Sequence, residues 1–277
     1  MRQATPLKRA ISLPMLVLYG LGTTIGAGIY ALVGELAGVS GYLAPMAFLM
    51  ASLLAGITAL SFAELSSRYP RAAGAALYTR EGFGSERFST LVGLLVISAG
   101  LVSSAALVNA FAGYLNQLIS PLIELDRVTI VLMATLFFGL FALWGIVQSI
   151  LMTATMTLLG IAGLIMVIYV GHDALADLST EWPKLIPTAD FTSWGFIFAG
   201  SLLAFYAFIG FEDMVVVAEE VKDVKRNLPL AILLTLGITT LIYMLIMTIA
   251  VLSMPPETLA QSSAPLALLY QYHTGED

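Results

Sequence analysis

The feature that most constrains this chain is a succession of long apolar stretches separated by short clusters of charge and turn formers. A helix needs about 20 largely apolar residues to cross the hydrocarbon of a bilayer. Seven stretches of about that length occur, over 12–37, 42–67, 89–119, 128–145, 148–171, 194–217 and 230–252. With 59% apolar and only 11% charged residues among 277, and a mean hydropathy of +0.93, water is not the main solvent of this fold. An all-α membrane protein is expected.

The opening MRQATPLKRAISL has a basic start but no small-residue cleavage site after a short apolar run, so the first helix is expected to stay in the mature chain. The absence of cysteine excludes disulfides and thiolate metal sites. His172 and His273 lie on separate segments between and after the apolar stretches, so no metal site is expected.

Charge distribution gives an orientation. With the N-terminus in the cytoplasm, the inward segments hold Arg2, Lys8, Arg9, Arg68, Arg71, Arg80, Arg87, Lys222, Lys225 and Arg226, and the outward ones only Arg127 and Lys184. Because short cytoplasmic loops collect basic residues, this asymmetry favours a cytoplasmic N-terminus and, after seven spans, an outward C-terminus. The net charge of −6 reflects acids in outward loops such as 172–193, so solvated loops account for it and no nucleic-acid partner is expected.

Two spans are irregular. In the first, GLGTTIGAGIY packs Gly22, Gly26 and Gly28 with two threonines into seven residues, a density that lowers helix propensity where a span should be regular. Close packing of small residues is the ordinary use of such spacing. In the sixth, SLLAFYAFIGFEDM places Gly210 just before Glu212 and Asp213. A carboxylate inside a span costs several kcal/mol, on the order of 2.5–3.5 on insertion scales, unless it faces a cavity or partner, which marks Glu212 as a functional candidate. Asp213 fits better as a group reaching the interface. Interruptions at corresponding places in two halves point to a midplane binding site, since a broken helix frees N–H groups at one end and carbonyls at the other. Such a site suits a carboxylate and an ammonium together.

The blocks GTTIGAGIY (22–30), FAELSSRYPRAAGAALYTREGFG (62–84), FYAFIGFED (205–213) and EEVKDVKRNLPLAI (219–232) resemble the amino acid–polyamine–organocation permease superfamily, specifically its bacterial amino-acid permeases, and the likeness covers nearly the whole chain. The resemblance implies a five-plus-five inverted-repeat (LeuT-like) transporter fold with broken helices one and six. It implies a substrate carboxylate held by Thr24 and the Gly26-Ala27-Gly28 backbone, and an amine held by carbonyls near Thr24, Tyr206 and Ile209. Ile25, Phe205, Ala207 and Gly210 complete the expected lining. Tyr206 matches an aromatic lid, although an ordinary packing aromatic fits as well, and Glu212 matches an acid of gating or coupling. Glu64, Arg68, Arg71 and Arg80 resemble a cytoplasmic latch, with solvated loop charges as the alternative. Lys222, Lys225 and Arg226 suit either Glu219 and Glu220 or anionic lipid heads.

The resemblance further implies an amino-acid substrate, no cofactor, a co-transported proton or exchanged substrate, and a multi-pass place in the plasma (inner) membrane. On this reading 1–11 is a cytoplasmic N-terminus, 12–171 the first five-helix repeat, 172–193 an outward loop, 194–252 helices six and seven, and 253–277 an outward segment before an eighth helix. Relatives have ten to twelve helices, so the fold is expected to be incomplete, truncated after the seventh. Two departures stand out: Asp223-Val224 replaces the usual Asn-Pro, and Gly160 stands where some relatives carry a lysine or an acid. A polyamine or organic-cation transporter of the same fold, or a non-transporting membrane fragment or sensor, are alternatives. A retinal receptor is excluded because no lysine lies in any span. An intramembrane enzyme using Glu212 and Asp213 lacks converging partners, since adjacent helix positions point about 100° apart.

Overall fold

The computed structural model describes residues 9–26, 28–71, 74–121, 123, 125–144 and 146–275. The first apolar stretch forms two helices, α1 (Leu13–Ile25) and α2 (Gly28–Ser40), and a 3-10 turn at Gly41–Leu43 leads into α3 (Ala44–Arg68). Proline in the first turn of α1 and of α3 starts each helix where an N–H has no intrahelical partner anyway. Then follow α4 (Gly74–Phe83), α5 (Glu86–Ile119), α6 (Arg127–Trp144) and α7 (Ile146–Gly171). A 3-10 segment His172–Asp177 and α8 (Leu178–Leu185) precede α9 (Phe191–Tyr206), a second 3-10 segment Phe211–Glu220, and α10 (Val224–Ser253). Two short helices close the described chain, α11 (Pro256–Gln261) and α12 (Pro265–Thr274).

Among the described residues five helical stretches are long and apolar enough to cross a bilayer, namely Gly28–Arg68, Glu86–Ile119, Thr155–Leu185, Phe191–Glu220 and Val224–Ser253. Leu13–Ile25 and Arg127–Phe141 are apolar but shorter.

The expected outward loop 172–193 contains α8, the segment after 252 contains α11 and α12, and the connection after the second span contains α4. These helices are short, and where they carry charges an apolar-run criterion passes over them. Each still buries something: α4 covers Leu77 and Tyr78, and α12 covers Leu266 and Leu269. The sixth span, expected over 194–217 with an interruption near Gly210, is α-helical only to Tyr206 and resumes as 3-10 helix from Phe211.

The core gathers around α10, which packs most extensively against α3 and next against α1, while α3 also packs against α9. Phe48 of α3, Phe208 and Tyr243 of α10 are fully buried. Their ring centroids lie 5.3 Å (Phe48–Tyr243), 5.4 Å (Phe208–Tyr243) and 6.4 Å (Phe48–Phe208) apart. By contrast, α5 and α6 turn Leu94, Leu95, Ile97, Leu101, Leu132 and Leu136 outward. Such an apolar exterior suits hydrocarbon rather than water.

Near the start of the described chain Ile11 pairs with Val221 in an isolated parallel bridge. Ile11 N donates to Glu220 O at 3.0 Å and Lys222 N donates to Ile11 O at 2.9 Å. Asp223, one half of the Asp-Val departure, follows in the left-handed region at φ 48° and accepts from the N–H groups of Arg226 and Asn227, opening α10.

Candidate functional site

The helix α1 stops at Ile25, where Gly26 takes φ 38° and ψ −134°, and α2 begins at Gly28. An L-residue rarely adopts such a positive φ, and the glycine supplies it without a Cβ penalty. The last carbonyls of α1 and the first N–H groups of α2 therefore lack intrahelical partners at the same level of the fold.

The second irregularity starts where α9 ends. Ala207, Phe208 and Ile209 donate to the carbonyls of Ala204, Phe205 and Tyr206 at 3.0, 3.0 and 3.2 Å, a tightened 3-10 turn. Gly210 then takes φ 127°, and the chain continues as 3-10 helix from Phe211. The Glu212 carboxylate accepts from the Gly210 N–H at 2.8 Å, so it satisfies a backbone donor that the turn leaves free. Glu212 is partly buried and Asp213 is exposed.

These two places meet. Thr23 Oγ1 donates to the Gly210 carbonyl at 2.9 Å. A Cβ on Gly210 would lie 2.7 Å from the Thr23 carbonyl carbon and 3.1 Å from Thr24 Cα, so the backbones touch and only glycine fits. On the other side, Gly28 packs with its Cβ position 3.3 Å from Ala207 Cα. Behind both, the Tyr243 hydroxyl lies 3.2 Å from the Thr24 carbonyl, 3.3 Å from that of Ile25 and 3.0 Å from that of Ala207.

Of the residues singled out in the sequence, Thr24, Ile25, Gly28, Ala207 and Gly210 are buried together at this junction. Gly26 and Ile209 are exposed, and Phe205 and Tyr206 are partly buried. Ala27 lies outside the described residues. The Tyr206 hydroxyl is 3.0 Å from Ser103 Oγ and donates to the Ser103 carbonyl at 3.2 Å, which ties the end of α9 to the middle of α5. The four latch candidates lie elsewhere, on α3, α4 and the stretch between them. Arg68 pairs with Glu64 one turn back on α3, and Arg80 pairs with its neighbour Glu81 at 3.7 Å. Both pairs are exposed and stay within their own helices, and pairs of this kind contribute about 0–1 kcal/mol.

Sequence reasoning missed Thr23 as a donor, Ser103 and above all Tyr243. A tyrosine within LGITTLIYMLIMTIA is the one visible signal, since a buried phenol requires a polar partner.

A separate cavity of about 400 Å³ lies among α2, α5, α7 and α12, lined by Tyr30, Tyr114, Val167, Leu266 and Tyr270 among others. Two of its tyrosines hydrogen-bond to backbone: Tyr30 donates to the Gly160 carbonyl at 2.6 Å and Tyr114 to the Tyr30 carbonyl at 2.9 Å. None of the residues expected to line the substrate site borders it. Among the described residues no group of three or more His, Asp or Glu is placed to hold a metal ion.

Just before α9, the Asp190 carboxylate caps the helix, accepting from Ser193 N at 2.7 Å and from the hydroxyls of Thr188 and Ser193. The Thr188 hydroxyl, followed by the Ser193 N–H and hydroxyl, holds this carboxyl at about 2, below the usual carboxylate range.

A nearly all-helical chain with five apolar helices of spanning length, its core gathered on the junction of two helix ends, is a multi-pass membrane protein. The sequence profile of the amino acid permease family matches residues 11–275, and the chain belongs to that family, within the amino acid–polyamine–organocation superfamily. It is 32% identical over 285 residues to a cationic amino acid transporter 2, vacuolar, of Arabidopsis thaliana, and 28% identical over 290 residues to a human cationic amino acid transporter 4. Each alignment covers 96% of this chain and 44% of the relative. An uncharacterized transporter of Mycobacterium tuberculosis is 29% identical over 94% of this chain and 57% of its own length. The chain thus spans about half the length, or less, of the curated relatives it matches.

Proposed function

We propose that this chain carries the substrate site of a secondary active amino-acid permease working by alternating access. The observation that supports it most is the meeting of the two helix interruptions, with Gly210 against Thr23 and Gly28 against Ala207. The N–H groups opening α2 take the α-carboxylate, aided by the positive end of the helix. Carbonyls at the ends of α1 and α9, near Thr24, Tyr206 and Ile209, take the α-amine. Tyr206 covers the substrate, and Glu212, which holds the backbone at Gly210, couples the site to movement, driven by a proton or by exchange. Glu64, Arg68, Arg71 and Arg80 border the inward exit. The protein lies in the plasma (inner) membrane with its N-terminus in the cytoplasm, in line with its basic residues.

Names of two relatives support cationic amino acids as the first substrates to test. The protein is expressed from its complete reading frame, reconstituted into liposomes, and assayed for uptake of arginine, lysine and neutral amino acids with and without a pH gradient. Saturable uptake, competed by other α-amino acids, is the expected result. Uptake of putrescine or spermidine with none of any amino acid would move the reading to amines lacking a carboxylate, and no uptake of either class would overturn it.

A further inference from the structure

We infer that Tyr243 is a positioning residue of the site, the group through which α10 holds both helix ends in register. The inference rests on the permease reading for its functional consequence, but its structural content stands apart from it.

A phenol has one proton, and here three carbonyls compete for it. Thr24 and Ile25 belong to the end of α1, and Ala207 to the turn after α9. The phenol thereby links segments more than 180 residues apart in a place without solvent, since Tyr243 is 0% exposed. Its ring has little freedom, being wedged between Phe48 and Phe208. A buried carbonyl that loses its donor carries its full desolvation cost, so the two helix ends depend on this single hydroxyl more than on an ordinary surface contact.

The same face of α10 supplies its own control. Thr235 and Thr239, two turns and one turn before Tyr243, are also fully buried, and their hydroxyls have no hydrogen-bond partner among the described residues. Burial of a hydroxyl on this seam is therefore not what links the helix ends. Among the described hydroxyls on this face of α10, only that of Tyr243 reaches carbonyls at both helix ends.

The carbonyls in question sit where the backbone amine and carboxylate of a substrate are expected, not where a side chain would be read. Loss of the tyrosine hydroxyl should weaken all amino-acid substrates by a similar factor and leave their order of preference unchanged. A residue acting on overall stability alone would lower the yield of folded protein without moving KM.

The test compares Tyr243→Phe, which keeps the ring, with Thr239→Val, which removes an unpartnered hydroxyl of the same helix face. In reconstituted full-length protein, Tyr243→Phe should raise KM about tenfold for each transported amino acid, while Thr239→Val leaves it within about twofold, given that 1.4 kcal/mol corresponds to a factor of ten. Hydrogen exchange without substrate is measured on the same three proteins in detergent. Amides of 207–210 should exchange about tenfold faster in Tyr243→Phe than in wild type, with no such change in Thr239→Val. Unchanged exchange in a folded Tyr243→Phe protein overturns the inference, whether or not the wild type transports. Faster exchange with unchanged KM restricts the hydroxyl to structure and overturns its role in the site. If the wild type transports nothing, the permease reading fails, and the exchange result still decides whether Tyr243 ties the helix ends together.

Discussion

The hydroxyl of Thr23 donates to the carbonyl of Gly210 at 2.9 Å, although 187 residues of chain separate them. Gly210 stands so close to the Thr23 backbone that any side chain there would meet the Thr23 carbonyl carbon at 2.7 Å. Hydrogen bond and close approach are one feature, because the short distance between the two backbones is what brings the Gly210 oxygen within reach of the threonine.

Gly210→Ala should therefore be far more damaging than loss of the hydroxyl. The alanine meets a backbone that cannot retreat, and at φ 127° it also carries strain of about 1–3 kcal/mol or more. Thr23→Val should cost only about 1 kcal/mol, the ordinary worth of one hydrogen bond. Thermal denaturation of the detergent-solubilised protein, read by tryptophan fluorescence or size-exclusion, gives the ranking.

Gly26→Leu probes the other interruption. Around Gly26 a Cβ would find nothing nearer than its own chain's carbonyls at 3.8 Å, so a side chain has room, and the penalty comes from φ 38°. The variant should fold with a loss of about 1–3 kcal/mol yet fill the space in front of the α2 N-terminus. Amino-acid binding, followed by ligand-induced thermal shift, should fall more than tenfold. Retained affinity would place the substrate elsewhere.

The cap of α9 predicts a dependence on acid. The Asp190 carboxyl is lowered to about 2 in the fold, against an ordinary aspartate near 3.9. A depressed value means that the folded state favours the ionised form, so its contribution is complete above about pH 4 and is lost as the pH falls towards 2. The protection of the first amides of α9 against hydrogen exchange, taken relative to the intrinsic rate at each pH, should fall across that interval in the wild type. In Asp190→Asn that pH-dependent loss of protection should be absent.

The two places where helix gives way were legible because glycine leaves a plain mark. A dense run of Gly and Thr inside an apolar span contradicts regular helix, and Gly22 to Gly28 is where α1 gives way to α2. Likewise Gly210, followed by Glu212, marked the sixth span, where the α-helix ends at Tyr206. Tyr243 was not legible, since a tyrosine among aliphatic residues has no periodic signature and its three acceptors come from distant parts of the chain. Nor was Ser103, one of several small polar residues on α5, distinguishable from its neighbours until the Tyr206 hydroxyl was seen beside it. The short helices α4, α8, α11 and α12 escaped because hydropathy detects spans and not helices as such. The roles proposed for residues such as Tyr206 and Glu212 rest on family likeness, which spacing alone does not reach.

The pairing of Ile11 with Val221 has a mechanical consequence. Together with the bond between Thr23 and Gly210, it fastens α1 to the 3-10 segment Phe211–Glu220 at both ends, like two rungs joining a pair of rails. Sliding one rail past the other would break hydrogen bonds at both ends at once, so the two segments hold their register as a pair.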